Sequence, residues 1–110
     1  TDDSVKLAAN SLIINNRINE AVDLLLITNN VLAAVEILYK FGKLKDAYQV
    51  LMLRNQNFID HKNLEEAGKL IQNISNSLFN QKENRLFALK LLASYGYVSE
   101  MLNLLSMNLE

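Results

Sequence analysis

The chain has 110 residues, half of them apolar, with no proline, no cysteine, three glycines and a formal net charge of −1. This length suits one domain with a sizeable core; missing cysteine excludes disulfides and thiolate zinc sites and fits a reducing compartment, while mixed, near-balanced charge argues against a nucleic-acid surface. No apolar run approaches the roughly 20 residues a membrane-spanning helix needs, no signal peptide is visible, and scarce Gly and Pro without Val/Thr alternation predict an all-α fold.

Asp2, Asp3 and Ser4 put capping side chains and negative charge ahead of a first helix expected over about 5–14. Asn15 and Asn16 close it, and a second helix follows over 18–27. Thr28, Asn29 and Asn30 make the next turn. A third helix over 31–41 ends at Gly42, and a fourth covers 44–53. The polar segment RNQNFID, 54–60, reads as a loop whose Phe58 and Ile59 tuck back onto the body. Asn63 and Glu66 have capping-box spacing, with Asp60 an alternative cap. The fifth and longest helix, about 62–78, carries a stripe at Leu64, Ala67, Leu70, Ile71, Ile74 and Leu78. Asn80 and Glu83 repeat the capping-box spacing before a sixth helix over 83–95, which stops at Gly96. A seventh helix covers 98–107. Thr1 stands where a Met would open a complete chain, and helices run to both ends, so a fragment of a longer protein is expected.

Four of these helices share one pattern: NRINEAVDLL (16–25), GKLKDAYQVL (42–51), KNLEEAGKLI (62–71) and GYVSEMLNLL (96–105). The third position is apolar and the fifth is acidic, where it favours the helix dipole. The sixth is Ala21, Ala47, Ala67 or Met101, and an apolar pair ends the segment. The preceding helices match too. Ala34, Ile37, Leu38, Phe41 and Gly42 lie over Ala88, Leu91, Leu92, Tyr95 and Gly96, with Ala8 to Asn16 a degraded copy. The unit is therefore a hairpin: a first helix, a turn whose Gly or Asn accepts positive φ, and a second helix whose small residue lets the first approach. Stacked hairpins bury what one alone leaves open, which predicts an α-α superhelix, or solenoid, of about seven antiparallel helices. It forms one helical-repeat domain, 1–110, with hairpins about 5–27, 31–53 and 84–107 and a long intervening helix about 62–78. The sixth positions stand 26, 20 and 34 residues apart, so the array is irregular.

The second unit, LYKFGKLKDAYQVLMLRN, resembles the short helical-hairpin units of clathrin heavy chain, coatomer, tethering-complex and nucleoporin solenoids, and is similar to the second half of a tetratricopeptide repeat. The resemblance implies a scaffold that binds other proteins, lacks an active site and assembles into vesicle coats or nuclear pores. It brings no family-specific motif, so no binding residue is carried over.

No nucleophile–base–acid set, Gly-rich phosphate loop or metal-ligand cluster can be assembled from the spacing. His61, the only histidine, sits beside Asp60 as a solvated residue at a helix start. Lys40, Lys43, Lys45 and Arg54 make the most basic stretch, read as a solvated face or as a seat for an acidic peptide or RNA phosphate. Tyr95 takes the place of Phe41 and is expected in the core, as is Met52, Met101 and Met107 packing. Tyr39, Tyr48 and Tyr97 fall at boundary positions, and Tyr is common at interface hot spots. The last helix ends apolar and is expected to meet another helix. The candidate interaction surface is thus Tyr39, Lys43, Tyr48, Tyr97, Leu105 and Leu109.

The expected function is a non-enzymatic protein–protein interaction scaffold, a piece of a coat, tethering or nuclear-pore subunit. The alternatives are a tetratricopeptide-like peptide adaptor and a helical-repeat RNA-binding module. Expected partners are other protein subunits, with no cofactor, metal, small-molecule substrate or transmembrane segment. Membrane association would be peripheral and through partners, and oligomers would form through terminal helices. The expected location is intracellular, in the cytoplasm or at the nuclear envelope.

Overall fold

The computed structural model describes residues 2–54 and 56–107. Among them are seven α-helices and no strand: α1 (Asp2–Ile14), α2 (Ile18–Ile27), α3 (Val31–Lys40), α4 (Leu44–Leu53), α5 (Leu64–Asn80), α6 (Arg85–Ser94) and α7 (Val98–Met107). Short 3₁₀ turns cover Gln56–Phe58 and Lys82–Asn84. The all-helical expectation holds, and α2, α4 and α7 have the expected bounds.

The turns follow from backbone chemistry. Asn16, Asn29, Gly42 and Gly96 all have positive φ, between 61° and 83°. Each ends its helix with the same pair of backbone bonds. At the first turn the Asn16 amide donates to the Ile13 carbonyl at 2.9 Å and the Arg17 amide to Leu12 at 2.8 Å. Lys43 donates to Leu38 and Tyr97 to Leu92, each at 2.8 Å, with Gly42 and Gly96 as the left-handed residues. These Schellman closures satisfy carbonyls that a helix end leaves open. Thr28 adds a side-chain bond, its hydroxyl donating to the Leu24 carbonyl at 2.8 Å, and Asn30 donates to that hydroxyl at 2.9 Å.

Three expected starts move, those of α1, α5 and α6, the last from 83 to Arg85. Asp2, Asp3 and Ser4 lie within α1 rather than ahead of it. Helix α5 begins at Leu64, because the Asp60 carboxylate accepts the Lys62 and Asn63 amides at 2.9 and 3.0 Å and holds that segment as a turn. Neither expected capping box forms at these starts: Asn63 makes no side-chain cap, and Asn80 is the last residue of α5. The Asn63 side chain instead ties the turn together, accepting from the Asp60 amide and donating to the Phe58 carbonyl at 2.9 Å.

The chain divides into two compact units, Thr1–Lys43 and Leu44–Glu110. The expected hairpin 31–53 spans that division, so α3 and α4 belong to different units. In the first unit α2 packs on both α1 and α3. Its core is Ala9, Ala21, Val22, Leu25, Val31, Ala34, Val35 and Leu38. In the second unit α5 and α6 form the main pair, α4 packs on both, and α7 packs on α6. The core there is built from Ala47, Leu51, Ile71, Ile74, Leu78, Ala88, Leu91 and Leu92. Burying a Leu or Ile side chain contributes roughly 1.5–3 kcal/mol, so these stripes, rather than helix propensity, hold the short helices.

Candidate interaction surface

The repeat register has a direct structural meaning. Ile18, Leu44, Leu64 and Val98, the third positions, are the first residues of α2, α4, α5 and α7. Glu20, Asp46, Glu66 and Glu100 then lie in the first turns, where the helix dipole favours a carboxylate. Ala21, Ala47 and Ala67 are completely buried, and so, to within 1%, are Leu25, Leu51 and Ile71 four residues later. These two positions, one turn apart, form the stripe by which each helix meets its neighbours.

Helix α7 breaks this rule. Its sequence keeps the register, yet none of its described residues is buried. Met101, Leu104 and Leu105 are half-buried, whereas Val98, Leu102 and Met107 are exposed, Leu102 by 54%. Helix α2, held between two neighbours, buries Val22 at the position matching Leu102. The register matches Leu102 to the buried Val22 and Gly68, so the sequence does not single it out, whereas Val98 holds the third position, where Leu64 is exposed as well.

The tyrosines separate. Tyr48 on α4 is half-buried with its ring 4.9 Å from that of Phe87 on α6. Lys45 places its ammonium 5.9 Å from the same Phe87 ring. Tyr97, between α6 and α7, is half-buried and reaches Gly68 on α5: a Cβ built on Gly68 would stand 2.7 Å from the Tyr97 hydroxyl oxygen. Tyr39 on α3 is half-buried, as is Lys43 at the end of the first unit. The structure thus brings Tyr48 and Tyr97 into packing of the second unit, and Leu105 onto the partly covered face of α7. Leu109 lies outside the described residues.

Two aromatic expectations need correction. Phe41 is exposed, with the Lys40 ammonium 5.9 Å above its ring, and Tyr95 is only half-buried. Both stand just past their helix ends, as C-caps, where the side chain no longer points along the buried stripe. Tyr95 serves a polar role instead. Its hydroxyl donates to the Leu51 carbonyl oxygen at 2.5 Å, and its ring packs edge-on against Phe58 at 6.3 Å. Burial disfavours the phenolate and pushes the Tyr95 pKa up to about 12. The methionines are not core filler either: Met52 and Met107 are exposed and Met101 is half-buried. Phe58 and Ile59 are half-buried, as expected of residues that tuck back.

Among the described residues, no group of three or more His, Cys, Asp or Glu side chains could hold a metal ion, and His61 is exposed. None of the described helices is long and apolar enough to cross a membrane. Arg17 forms a surface ion pair with Glu20, which raises the Arg17 pKa first through the hydrogen bond and then through charge. Exposed pairs of this kind contribute little. No protein-family model matches the chain, and neither a curated protein nor a solved structure does.

Proposed function

We infer that this chain is a non-enzymatic scaffold that binds other folded proteins, built as an α-solenoid-like stack of helical hairpins. The observation that carries the reading is the contrast between α7 and its sequence counterparts. A helix with the same register as α2, α4 and α5 buries none of its described residues, leaving apolar side chains of the type that protein interfaces use. The resemblance of residues 38–55 to coat, tethering and pore solenoids supports the same class and suggests a subunit of a large intracellular assembly. The described lysines do not favour an RNA reading: Lys40 and Lys45 stand over Phe41 and Phe87, and the charges of both signs are interspersed.

A scaffold and a peptide adaptor differ in what they require of the partner. Once a partner has been recovered, its intact folded form and its proteolytic peptides are titrated against the purified chain. Binding of the folded form alone supports the scaffold. Equal binding by a short peptide supports the adaptor and removes the scaffold reading.

A further inference from the structure

In the second unit α4 and α6 run side by side in the same direction. Near their starts the Tyr48 ring packs on Phe87, and near their ends the Tyr95 hydroxyl reaches the Leu51 carbonyl. Helix α5 packs on both. The helical period places the side chains along the outer seam. Of the residues one turn beyond Phe87, Leu91 is completely buried and Lys90 is exposed, so Lys90 stands on the outer side of Phe87. On α4, Leu51 is buried, whereas Lys45 and Met52, one turn to either side of Tyr48, are exposed. Tyr48 and Phe87, both half-buried, form the floor of this seam; Lys45 and Met52 form one rim and Lys90 the other.

The rims carry charge of one sign. The Lys45 ammonium lies 5.9 Å from the Phe87 ring centroid, and neither Lys45 nor Lys90 pairs with a carboxylate among the described residues. Asp46 is exposed, but at about 100° per residue it points roughly 160° away from Tyr48. Glu83, one turn before Phe87, has Lys82 beside it.

From this we propose that the α4–α6 seam docks an acidic segment of a partner protein, whose carboxylates meet Lys45 and Lys90 while an aliphatic side chain rests on Tyr48 and Phe87. Complementary charge selects that partner. A nucleic acid fits less well. Phe87 already has Tyr48 tilted against it at 44° and Lys45 over it, which leaves little ring face for a base to stack on. The seam uses no residue of α7, so it goes beyond the scaffold reading and stands or falls separately from it.

The full chain is labelled with nitrogen-15, and the amide signals of Tyr48, Phe87 and Lys90 are followed while three probes are titrated in. These are a synthetic peptide of repeated Glu-Glu-Leu units, its Lys-Lys-Leu counterpart and a single-stranded oligouridylate. The proposal expects saturable shifts at these amides with the acidic peptide alone. Lys45→Glu combined with Lys90→Glu should weaken that binding roughly tenfold or more, because like charges then face each other. Lys62→Glu combined with Lys69→Glu, which reverses two exposed lysines away from the seam, should leave it unchanged. Circular dichroism confirms that both double variants fold. No saturable shift with the acidic peptide would overturn the proposal, as would equal binding of the basic peptide or equal loss in the two double variants. Tighter binding of the oligouridylate would overturn it in favour of a nucleic-acid surface.

Discussion

The hydroxyl of Tyr95, one residue past the end of α6, donates to the carbonyl of Leu51 in the last turn of α4, with the Arg54 carbonyl 3.4 Å away. The last carbonyls of a helix have no partner within it. Here a residue 44 positions later supplies one, fixing the end of α4 against α6 inside the second unit. Tyr95→Phe keeps the ring on Phe58 and removes only this bond. It should cost about 1 kcal/mol in denaturant unfolding, the usual net worth of such a bond. No loss would mean that water serves Leu51 equally well.

The same hydroxyl predicts a pH dependence. Burial raises the Tyr95 pKa from 10.0 to about 12, so the folded protein holds a proton that the unfolded chain releases first. The stabilisation is fully present below pH 10 and is lost as the pH rises from about 10 towards about 12. Wild type and Tyr95→Phe should therefore converge in stability across that window. Parallel curves would contradict the assignment.

Gly68 sits inside α5, where alanine would normally favour the helix by roughly 0.5–1 kcal/mol. The Tyr97 hydroxyl stands in the way of a methyl group, since the Cβ would meet it at 2.7 Å. Gly68→Ala should thus stabilise the protein when combined with Tyr97→Phe, and stabilise it less or destabilise it alone. A double-mutant cycle with coupling above about 0.5 kcal/mol is expected for residues in contact; additive effects would contradict the contact.

Ser75 is completely buried in α5, and its hydroxyl has no hydrogen-bond partner among the described residues. A hydroxyl taken from water without compensation costs about 1–3 kcal/mol. Ser75→Ala should therefore stabilise the chain, by about 1 kcal/mol once the small void is counted, raising the thermal midpoint. A fall in the midpoint would show that the hydroxyl is satisfied.

Ala47 and Lys43 test the register from opposite sides. Ala47 is completely buried at the sixth position, so Ala47→Asp places a charge where no partner stands and should unfold the second unit. Lys43 is half-exposed, and Lys43→Glu should stay within roughly 0.5 kcal/mol of wild type. Equal thermal unfolding of Ala47→Asp and wild type would refute the register.

The helices were legible where local chemistry decides them. Asn16, Gly42 and Gly96 mark turns because few residues accept positive φ, and the Ala21, Ala47 and Ala67 positions mark helix contacts because only small side chains allow close approach. What was not legible depends on distant partners. The division after Lys43, the turn of Tyr95 towards Leu51, the meeting of Gly68 with Tyr97 and the buried hydroxyl of Ser75 all depend on tertiary packing that a helical period does not encode. The candidate surface was half legible for the same reason. Leu105 was identifiable from the apolar end of the last helix, whereas Leu102 looks like a core residue until its helix is seen, among the described residues, to pack mainly on α6.

The central claim, a scaffold that binds proteins through the open face of α7, is tested most directly by affinity purification of the tagged protein from its own cells. Wild type and Leu102→Asp are compared by quantitative mass spectrometry, with and without nuclease. The account predicts a fixed, stoichiometric set of protein partners, insensitive to nuclease and depleted by Leu102→Asp. Partners that vary and remain substoichiometric, that vanish with nuclease, or that bind Leu102→Asp as well as wild type would contradict it.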